Sequence, residues 1–251
     1  EPLIFSMQIL AFLAILIGLS LPSLGQAPDQ KEEALRVNPA RDLFDLATLN
    51  YNDAKNGEDA KKVERDYRIA AKKFTQFLET FPRDEKAIEA WYFLGMSQRE
   101  IGESEASRTS FKKAITKGKT GKFVEASALF LASDDYKAEK WRDAAKWFQI
   151  VSDTTKNEEI KQQSLYRRFL CFYKLEDKDE MLLSSKEVIA DEDSPYSETA
   201  RLALARLYRD SQSTKQAYEQ FVLLSKSKDS KIRAEATFQA ALTAQTLGEK
   251  D

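Results

Sequence analysis

The chain has 251 residues, of which 42% are hydrophobic and 32% charged, and its formal net charge is −2. It is long enough to bury a sizeable core, and its charge balance gives no global electrostatic case for nucleic-acid binding. It contains no histidine and one cysteine. This excludes an imidazole base, a histidine-activated nucleophile, a histidine-containing zinc site and an internal disulfide. With only 8 glycines and 6 prolines, long helices with short connections are favoured over turn-rich folds.

The first 25 residues differ in composition from the rest of the chain. An uncharged apolar run at 9–21 is followed by Pro22 and by the small residues Ser23 and Gly25. This order predicts a secretory signal peptide cleaved after Gly25. We therefore expect an exported protein of a bacterial periplasm or cell envelope. An uncleaved inner-membrane anchor is the alternative, because residues 3–24 taken together reach the length of about 20 residues that a membrane span needs.

Helical periodicity begins after a polar segment, 26–38, that we interpret as a flexible linker. From residue 39 onward, apolar residues recur at spacings of three and four, without the sustained alternation of strands. Polar breaks interrupt this pattern at 55–59, 81–85, 101–105, 117–122, 191–195, 211–214 and 247–250. Residues 39–251 are therefore predicted to be all-α and built from paired antiparallel helices. An enlarged opening pair, formed by a helix over 40–54 and a long helix from Glu58, is predicted to precede the repeated copies described below.

A triad of small or apolar residues with members at +4 and +7 recurs five times along the chain. The triads are Ala70/Phe74/Phe77, Ser107/Phe111/Ala114, Ala144/Phe148/Val151, Leu182/Lys186/Ile189 and Ala217/Phe221/Leu224. Their first members are separated by 37, 37, 38 and 35 residues. A plain bundle has no reason to keep such a period, whereas in a solenoid each helix pair buries its apolar face on the next pair. We predict an α-solenoid of about five and a half helix–turn–helix copies.

The best copy resembles the tetratricopeptide repeat (TPR) family. The matching residues in this copy are Trp91, Leu94, Gly95, Gly102, Phe111 and Ala114. Weaker copies match through Tyr67, Ala70, Phe74 and Pro82, through Trp141, Ala144 and Phe148, through Tyr166 and Tyr173, and through Leu204, Ala205, Tyr208, Ala217 and Phe221. The resemblance covers about 39–251. It implies that small residues such as Gly95 let the two helices of a pair approach closely, while aromatic residues fill the gap to the neighbouring pair.

The last segment resembles the first helix of a further copy. Gly248 lies where Gly102 lies in the best copy, but no second helix follows. Phe238, Ala241, Leu242 and Leu247 are therefore predicted to need cover, and we expect the chain to be a piece of a longer repeat protein.

Three other motifs are interpreted as structural. The segment 118–122, GKTGK, ends like a phosphate-binding loop, but position 113 is lysine and no buried strand precedes it. The acidic run 191–193 lacks the spacing and the glycine of a calcium loop. The acidic pair 134–135 and Cys171 fall within predicted helices. No catalytic residue, cofactor site or metal site is predicted, and we interpret the chain as non-enzymatic.

The TPR resemblance implies a partner-binding groove along the first helix of each pair, where the family binds extended peptides. The residues implied here are Tyr92, Met96, Arg99, Tyr136, Lys137, Arg167, Lys174, Arg206 and Arg209. Arginine forks suit carboxylates. The implied partner is therefore a protein or peptide, such as one with an acidic or C-terminal segment. The alternative is that these cations pair with acids of the chain itself.

These features together favour a non-enzymatic protein–protein interaction scaffold of the bacterial cell envelope. The chain broadly resembles exported TPR proteins of the outer-membrane assembly lipoprotein and Tol–Pal division coordinator types. No cysteine follows the apolar run, so the lipid anchor of the assembly lipoprotein has no counterpart. The alternative is the repeat arm of a larger envelope enzyme whose catalytic domain lies beyond residue 251.

Overall fold

The computed structural model describes residues 38–248. This part of the chain forms eleven helices and no strand, which confirms the all-α prediction. In chain order the helices are α1 Pro39–Lys55, α2 Ala60–Thr80, α3 Ala87–Glu100, α4 Ser104–Lys117, α5 Lys122–Lys137, α6 Trp141–Thr154, α7 Glu158–Leu175, α8 Lys178–Ile189, α9 Ser197–Asp210, α10 Thr214–Leu224 and α11 Ser230–Leu247.

The helices form five consecutive pairs followed by a single helix. We call α1, α3, α5, α7, α9 and α11 the A helices, and α2, α4, α6, α8 and α10 the B helices. From α2 onward each helix packs on the next, and α1 meets α2 through ring contacts such as Phe44 with Phe74 at 5.9 Å. Neighbouring A helices also touch, α3 with α5 and α9 with α11, whereas no two B helices within 38–248 do so to the same extent. The described chain is thus an α-solenoid of TPR-like helix pairs whose A helices lie on the inner side.

The opening pair and the first predicted copy are the same pair of helices. Helix α2 begins after Asp59, whose carboxylate accepts a 2.7 Å hydrogen bond from the backbone N–H of Lys62. The same helix carries Phe74 and Phe77, which are both fully buried. The α1–α2 pair is therefore the first copy itself, and the prediction of a separate pair ahead of it is wrong for the described residues.

Four of the five predicted triads lie buried on B helices, and the fourth in chain order is wrong by one residue. On α8, Lys186 is exposed, while Met181, Ser185 and Val188 form the buried triad. With this correction the first members are 37, 37, 37 and 36 residues apart. The prediction failed on α8 because a buried serine, Ser185, occupies the position that is aromatic in the other copies. Its hydroxyl donates a 3.1 Å hydrogen bond to the carbonyl of Leu182, which makes burial of the polar group tolerable.

The A helices from α3 onward end with the same backbone geometry. One residue adopts a left-handed conformation at φ 78°, 55°, 54°, 60° and 72°, in the order Gly102, Glu139, Glu176, Gln212 and Gly248. In the first four turns the next N–H donates to the carbonyl five residues earlier, at distances of 2.8 to 3.2 Å, as in a Schellman motif. The predicted equivalence of Gly248 and Gly102 is confirmed.

Six of the seven polar breaks predicted from sequence coincide with connections between helices, and the seventh begins at the end of α11 and runs beyond the described residues. Four more connections lie at 138–140, 155–157, 176–177 and 225–229. None of these four contains glycine or proline. They lack the residues that punctuate a helical pattern most strongly, so sequence alone did not mark them.

The ends of the described region bear on two further predictions. On α11, Phe238 is 66% exposed and Leu242 is 47% exposed, so the apolar face expected to need cover is open in the described part of the chain. No helix within 38–248 has the length and apolar character needed to cross a bilayer. The predicted signal peptide, and all but the last residue of the predicted linker, lie outside the described residues.

Candidate partner-binding surface of the A helices

The nine residues implied by the TPR resemblance all lie on A helices, which brings them to the inner side of the solenoid. Helix α3 carries Tyr92, Met96 and Arg99, α5 carries Tyr136 and Lys137, α7 carries Arg167 and Lys174, and α9 carries Arg206 and Arg209. We call this set the A-helix surface. Its members differ in what they contact, and this difference determines which of them are free to meet a partner.

Tyr92 and Met96 chiefly hold α3 against its neighbours. The ring of Tyr92 lies 5.2 Å from that of Phe123 and 6.4 Å from that of Phe130, both on α5. Burial raises the pKa of the Tyr92 phenol above its usual range. Met96 packs, partly buried, against the core of the first pair and that of the next. Tyr92 keeps part of its ring accessible, so contact between that edge and a guest stays a prediction.

Two arginines of the A-helix surface form forked ion pairs with the following A helix. Arg99 donates to both carboxylate oxygens of Asp134 at 2.6 and 3.1 Å, linking α3 to α5. Arg206 donates to both oxygens of Glu235 at 2.7 and 2.6 Å, linking α9 to α11. Such bidentate geometry is the strong form of the arginine–carboxylate interaction. In this structure, pairing within the chain occupies both forks.

Arg209 and Tyr136 are also engaged within the solenoid. Arg209 donates to the side-chain oxygen of Gln239 on α11 at 3.1 Å and lies 2.9 Å from the carboxylate of the adjacent Asp210. The ring of Tyr136 lies edge-on to Trp141 at a centroid distance of 5.0 Å. These two residues therefore contribute to packing between helices.

Arg167 is the half-buried cation of the A-helix surface that lacks a carboxylate partner within 38–248. Its guanidinium carbon lies 5.7 Å from the centroid of the Tyr136 ring and 6.0 Å from that of Phe148. None of its N–H groups meets an acceptor in the described part of the chain. Lys137 and Lys174 are exposed and equally without an ion pair there. The free positive charge of this surface thus lies on α5 and α7.

The acidic pair 134–135, interpreted from sequence as structural, divides between two environments. Asp134 faces the A-helix surface, whereas the side chain of Asp135 is 1% exposed. Its carboxylate accepts a 2.9 Å hydrogen bond from the indole N–H of Trp147 and lies 2.9 Å from the guanidinium of Arg108. Asp135 therefore joins α4, α5 and α6.

The repeat period of the sequence contains a signal for this cluster. In the preceding pair the Ser110 hydroxyl donates a 2.6 Å hydrogen bond to the side-chain oxygen of Gln98. Gln98 and Ser110 precede Asp135 and Trp147 by 37 residues each, so one polar contact between the A and B helices recurs with the repeat period.

Two observations on the described residues concern metal binding and the reactivity of the one cysteine. Within 38–248 there is no group of three or more histidine, cysteine or acidic side chains that could hold a metal ion. Cys171 is fully buried, and its burial raises the pKa of the thiol to about 12. A thiol of this kind is a poor nucleophile at neutral pH, because the thiolate is the reactive form.

Comparisons with known proteins return structures but no sequence relatives. No family model and no curated protein matches the chain. One similar solved structure is a tetratricopeptide repeat protein from Parabacteroides merdae, at 17% identity and a TM-score of 0.45, covering 84% of this chain and 81% of that one. Another is a double mutant of MamA RS-1, at 12% identity and a TM-score of 0.45, covering 86% of this chain and 100% of that one. The assignment as a TPR-like solenoid rests on the helix order and the repeat period described above.

Proposed function

We propose that the protein is a non-enzymatic interaction scaffold that binds an extended acidic segment of a protein partner on the A-helix surface, centred on α7. The observation that carries the proposal is the unpaired guanidinium of Arg167. A half-buried charge without a partner is unfavourable. The guanidinium groups of Arg99 and Arg206, by contrast, are each paired with a carboxylate of the chain itself. A carboxylate of the guest would supply the acceptor that Arg167 lacks.

The surroundings of Arg167 fit an extended guest. Lys174 follows it by seven residues on the same helix, so both side chains lie on one face about two turns apart. The ring of Tyr136, beneath the guanidinium, orients the cation and offers apolar surface beside it. An acidic residue of the guest would meet Arg167 and a second one would meet Lys174.

The proposal is tested with a fluorescein-labelled peptide of alternating glutamate and glycine, whose anisotropy is followed on titration with the protein. We expect saturable binding that weakens with added salt. Arg167→Glu and Lys174→Glu should each weaken it by about tenfold, the effect of losing roughly 1.4 kcal/mol. Lys112→Glu is the matched control, because Lys112 is an exposed lysine on B helix α4.

Because the guanidinium of Arg167 also lies over two rings, thermal unfolding of each variant is recorded alongside. Lys174→Glu does not disturb those rings and keeps the test valid if Arg167→Glu loses stability. Unchanged binding in both variants would contradict the proposal, and so would an equal loss in Lys112→Glu.

We place this scaffold in a bacterial cell envelope, on the basis of the composition of residues 1–25. The measurement is N-terminal sequencing of the protein recovered from an expressing bacterium. A mature chain beginning at Gln26 supports export with cleavage, and an intact N-terminus in the membrane fraction supports the anchored alternative. The second candidate is the repeat arm of a larger envelope enzyme. It would use the same A-helix surface, and catalytic activity of the full gene product would support it.

A further inference from the structure

A cavity of about 490 Å³ lies between B helices α2 and α4, with A helix α3 as its floor. Its floor and walls include Leu78, Trp91, Leu94 and Ala106. The residues of α3 that line it face the B helices, so the cavity lies on the opposite side of α3 from its contact with α5. The TPR resemblance implies that Trp91 fills the gap between pairs, but part of this indole borders open space.

The repeat relationship explains why the space is empty. The third pair places the indole of Trp147 between its A and B helices, 8% exposed, with its N–H on Asp135. The second pair has Ser110 at the equivalent position, 37 residues earlier, hydrogen-bonded to Gln98. Both Ser110 and Gln98 line the cavity. A serine leaves unfilled the volume that a large aromatic side chain fills one repeat later.

The mouth of the cavity is acidic. Glu79 from α2 and Glu105 from α4 line it, both exposed, and no lysine or arginine does so. Neither carboxylate takes part in an ion pair or a side-chain hydrogen bond in the described part of the chain. An apolar floor between two exposed carboxylates is complementary to an apolar side chain flanked by cations.

We propose that this cavity, which we call the outer cavity, is a second docking site, which takes an aromatic side chain from a basic segment of a protein partner. The aromatic ring would fill the place that Trp147 fills in the next pair, and its basic neighbours would meet Glu79 and Glu105. The two faces of the solenoid then select opposite charges, an acidic segment on the A-helix surface and a basic one on the outer cavity.

The probe is the peptide acetyl-Lys-Lys-Phe-Lys-Lys-amide, titrated into the full chain while tryptophan fluorescence is recorded. We expect saturable binding with a change in emission that is lost in Trp91→Phe. Replacing the phenylalanine of the peptide by alanine should weaken binding by about tenfold or more, since a buried large apolar side chain carries at least that much. A peptide with glutamates in place of the lysines should leave the Trp91-dependent emission unchanged, because an acidic segment is expected to bind the A-helix surface and not the outer cavity.

Ser110→Trp is designed to fill the outer cavity with an indole whose N–H takes the place of the Ser110 hydroxyl as donor to the Gln98 oxygen. This variant should bind the phenylalanine peptide about tenfold or more weakly. Thr116→Trp is the matched control, because Thr116 is exposed on the same helix and does not line the cavity. Glu79→Lys combined with Glu105→Lys removes the charge complementarity without touching the core. This double variant keeps the test valid if Ser110→Trp does not fold.

Several outcomes would overturn the proposal. They are equal affinity for the phenylalanine and alanine peptides, unchanged binding to Ser110→Trp, and self-association that Ser110→Trp abolishes, which would assign the cavity to a second copy of the chain. The acidic peptide bound by the A-helix surface should be unaffected by all of these variants, so failure of one site is distinguishable from failure of the other.

Discussion

The indole N–H of Trp147 donates a 2.9 Å hydrogen bond to the carboxylate of Asp135, in a part of the core where that carboxylate is 1% exposed. The same carboxylate meets Arg108 at 2.9 Å. One acidic side chain on α5 thus connects the B helix before it with the B helix after it. Because buried polar groups stabilise a fold only when they are satisfied together, the three residues act as a unit.

Removing the carboxylate should therefore be costly. We expect Asp135→Ala to lower the free energy of unfolding by about 3 kcal/mol, because it leaves the Arg108 cation and the Trp147 N–H without their acceptor. Equilibrium unfolding in urea measures the change. The neighbouring Asp134→Ala is the control. Its carboxylate is 29% exposed, and we expect a loss of about 1 kcal/mol or less. Equal losses would contradict the assigned difference in burial.

Gly95 marks the closest approach of α3 and α4 in the second pair. A Cβ atom at this position would lie 2.8 Å from two carbons of the Phe111 ring, which is 1% exposed and stacked on Phe130 at 5.2 Å. Alanine would gain about 1 kcal/mol of helix propensity, but overpacking costs about 1–3 kcal/mol. We expect Gly95→Ala to lower the melting temperature and Gly95→Leu to lower it further. A melting temperature of Gly95→Leu at or above that of the wild type would refute this packing.

Substitution by glycine should change the free energy of unfolding in opposite directions at Gln212, which lies in a left-handed turn, and at Gln163, which lies within a helix. Gln212 has φ 60°, a conformation that costs a residue with a side chain about 1–2 kcal/mol, so Gln212→Gly should raise the free energy of unfolding by about 1 kcal/mol. Gln163 is exposed within α7, where glycine should lower it by about 1 kcal/mol. Thermal and urea unfolding of the two variants give the comparison, and a shift of the same sign in both would contradict it.

Alkaline pH should lower the stability of the protein because the thiol of Cys171 is buried. The pKa of its thiol rises from 9.0 to about 12 in the folded state because of burial. Between these values the unfolded chain has lost the proton that the folded chain keeps, so stability falls as pH rises. Burial also raises the pKa of Tyr51 to about 12, which acts in the same direction.

The measurement is urea unfolding at pH 8 and pH 10.5 for the wild type and for Cys171→Ala. The wild type should lose about 1–2 kcal/mol more than the variant over this range. Because Tyr51 is present in both proteins, its contribution cancels in the comparison. Parallel losses in the two proteins would show that the thiol ionises equally in both states.

Local patterns alone were sufficient to predict the framework of this protein. The helical periodicity, the near-constant spacing of the buried triads and the equivalence of Gly102 and Gly248 all follow from residues close together in sequence. Burial of one helix face and termination of a helix are local events, so their signals survive in a single sequence. The buried face of α8 was predicted one residue out of register because Ser185 is a polar residue in the core. Its hydroxyl is satisfied by a hydrogen bond within its own helix, which no hydrophobic pattern reveals.

The candidate sites depended on contacts between helices. Sequence placed Arg99, Arg167 and Arg206 on one surface, but only the tertiary structure showed that the first and third are paired with acids 35 and 29 residues away while Arg167 is not. Likewise, the sequence contained Ser110 and Trp147 at equivalent positions of the repeat, but only the structure revealed a cavity beside Ser110. The sequence by itself therefore determined which helices form and how they repeat. The packing of neighbouring repeats decided which charges and which spaces remain for a partner, because these depend on the side chains that lie opposite each other across an interface.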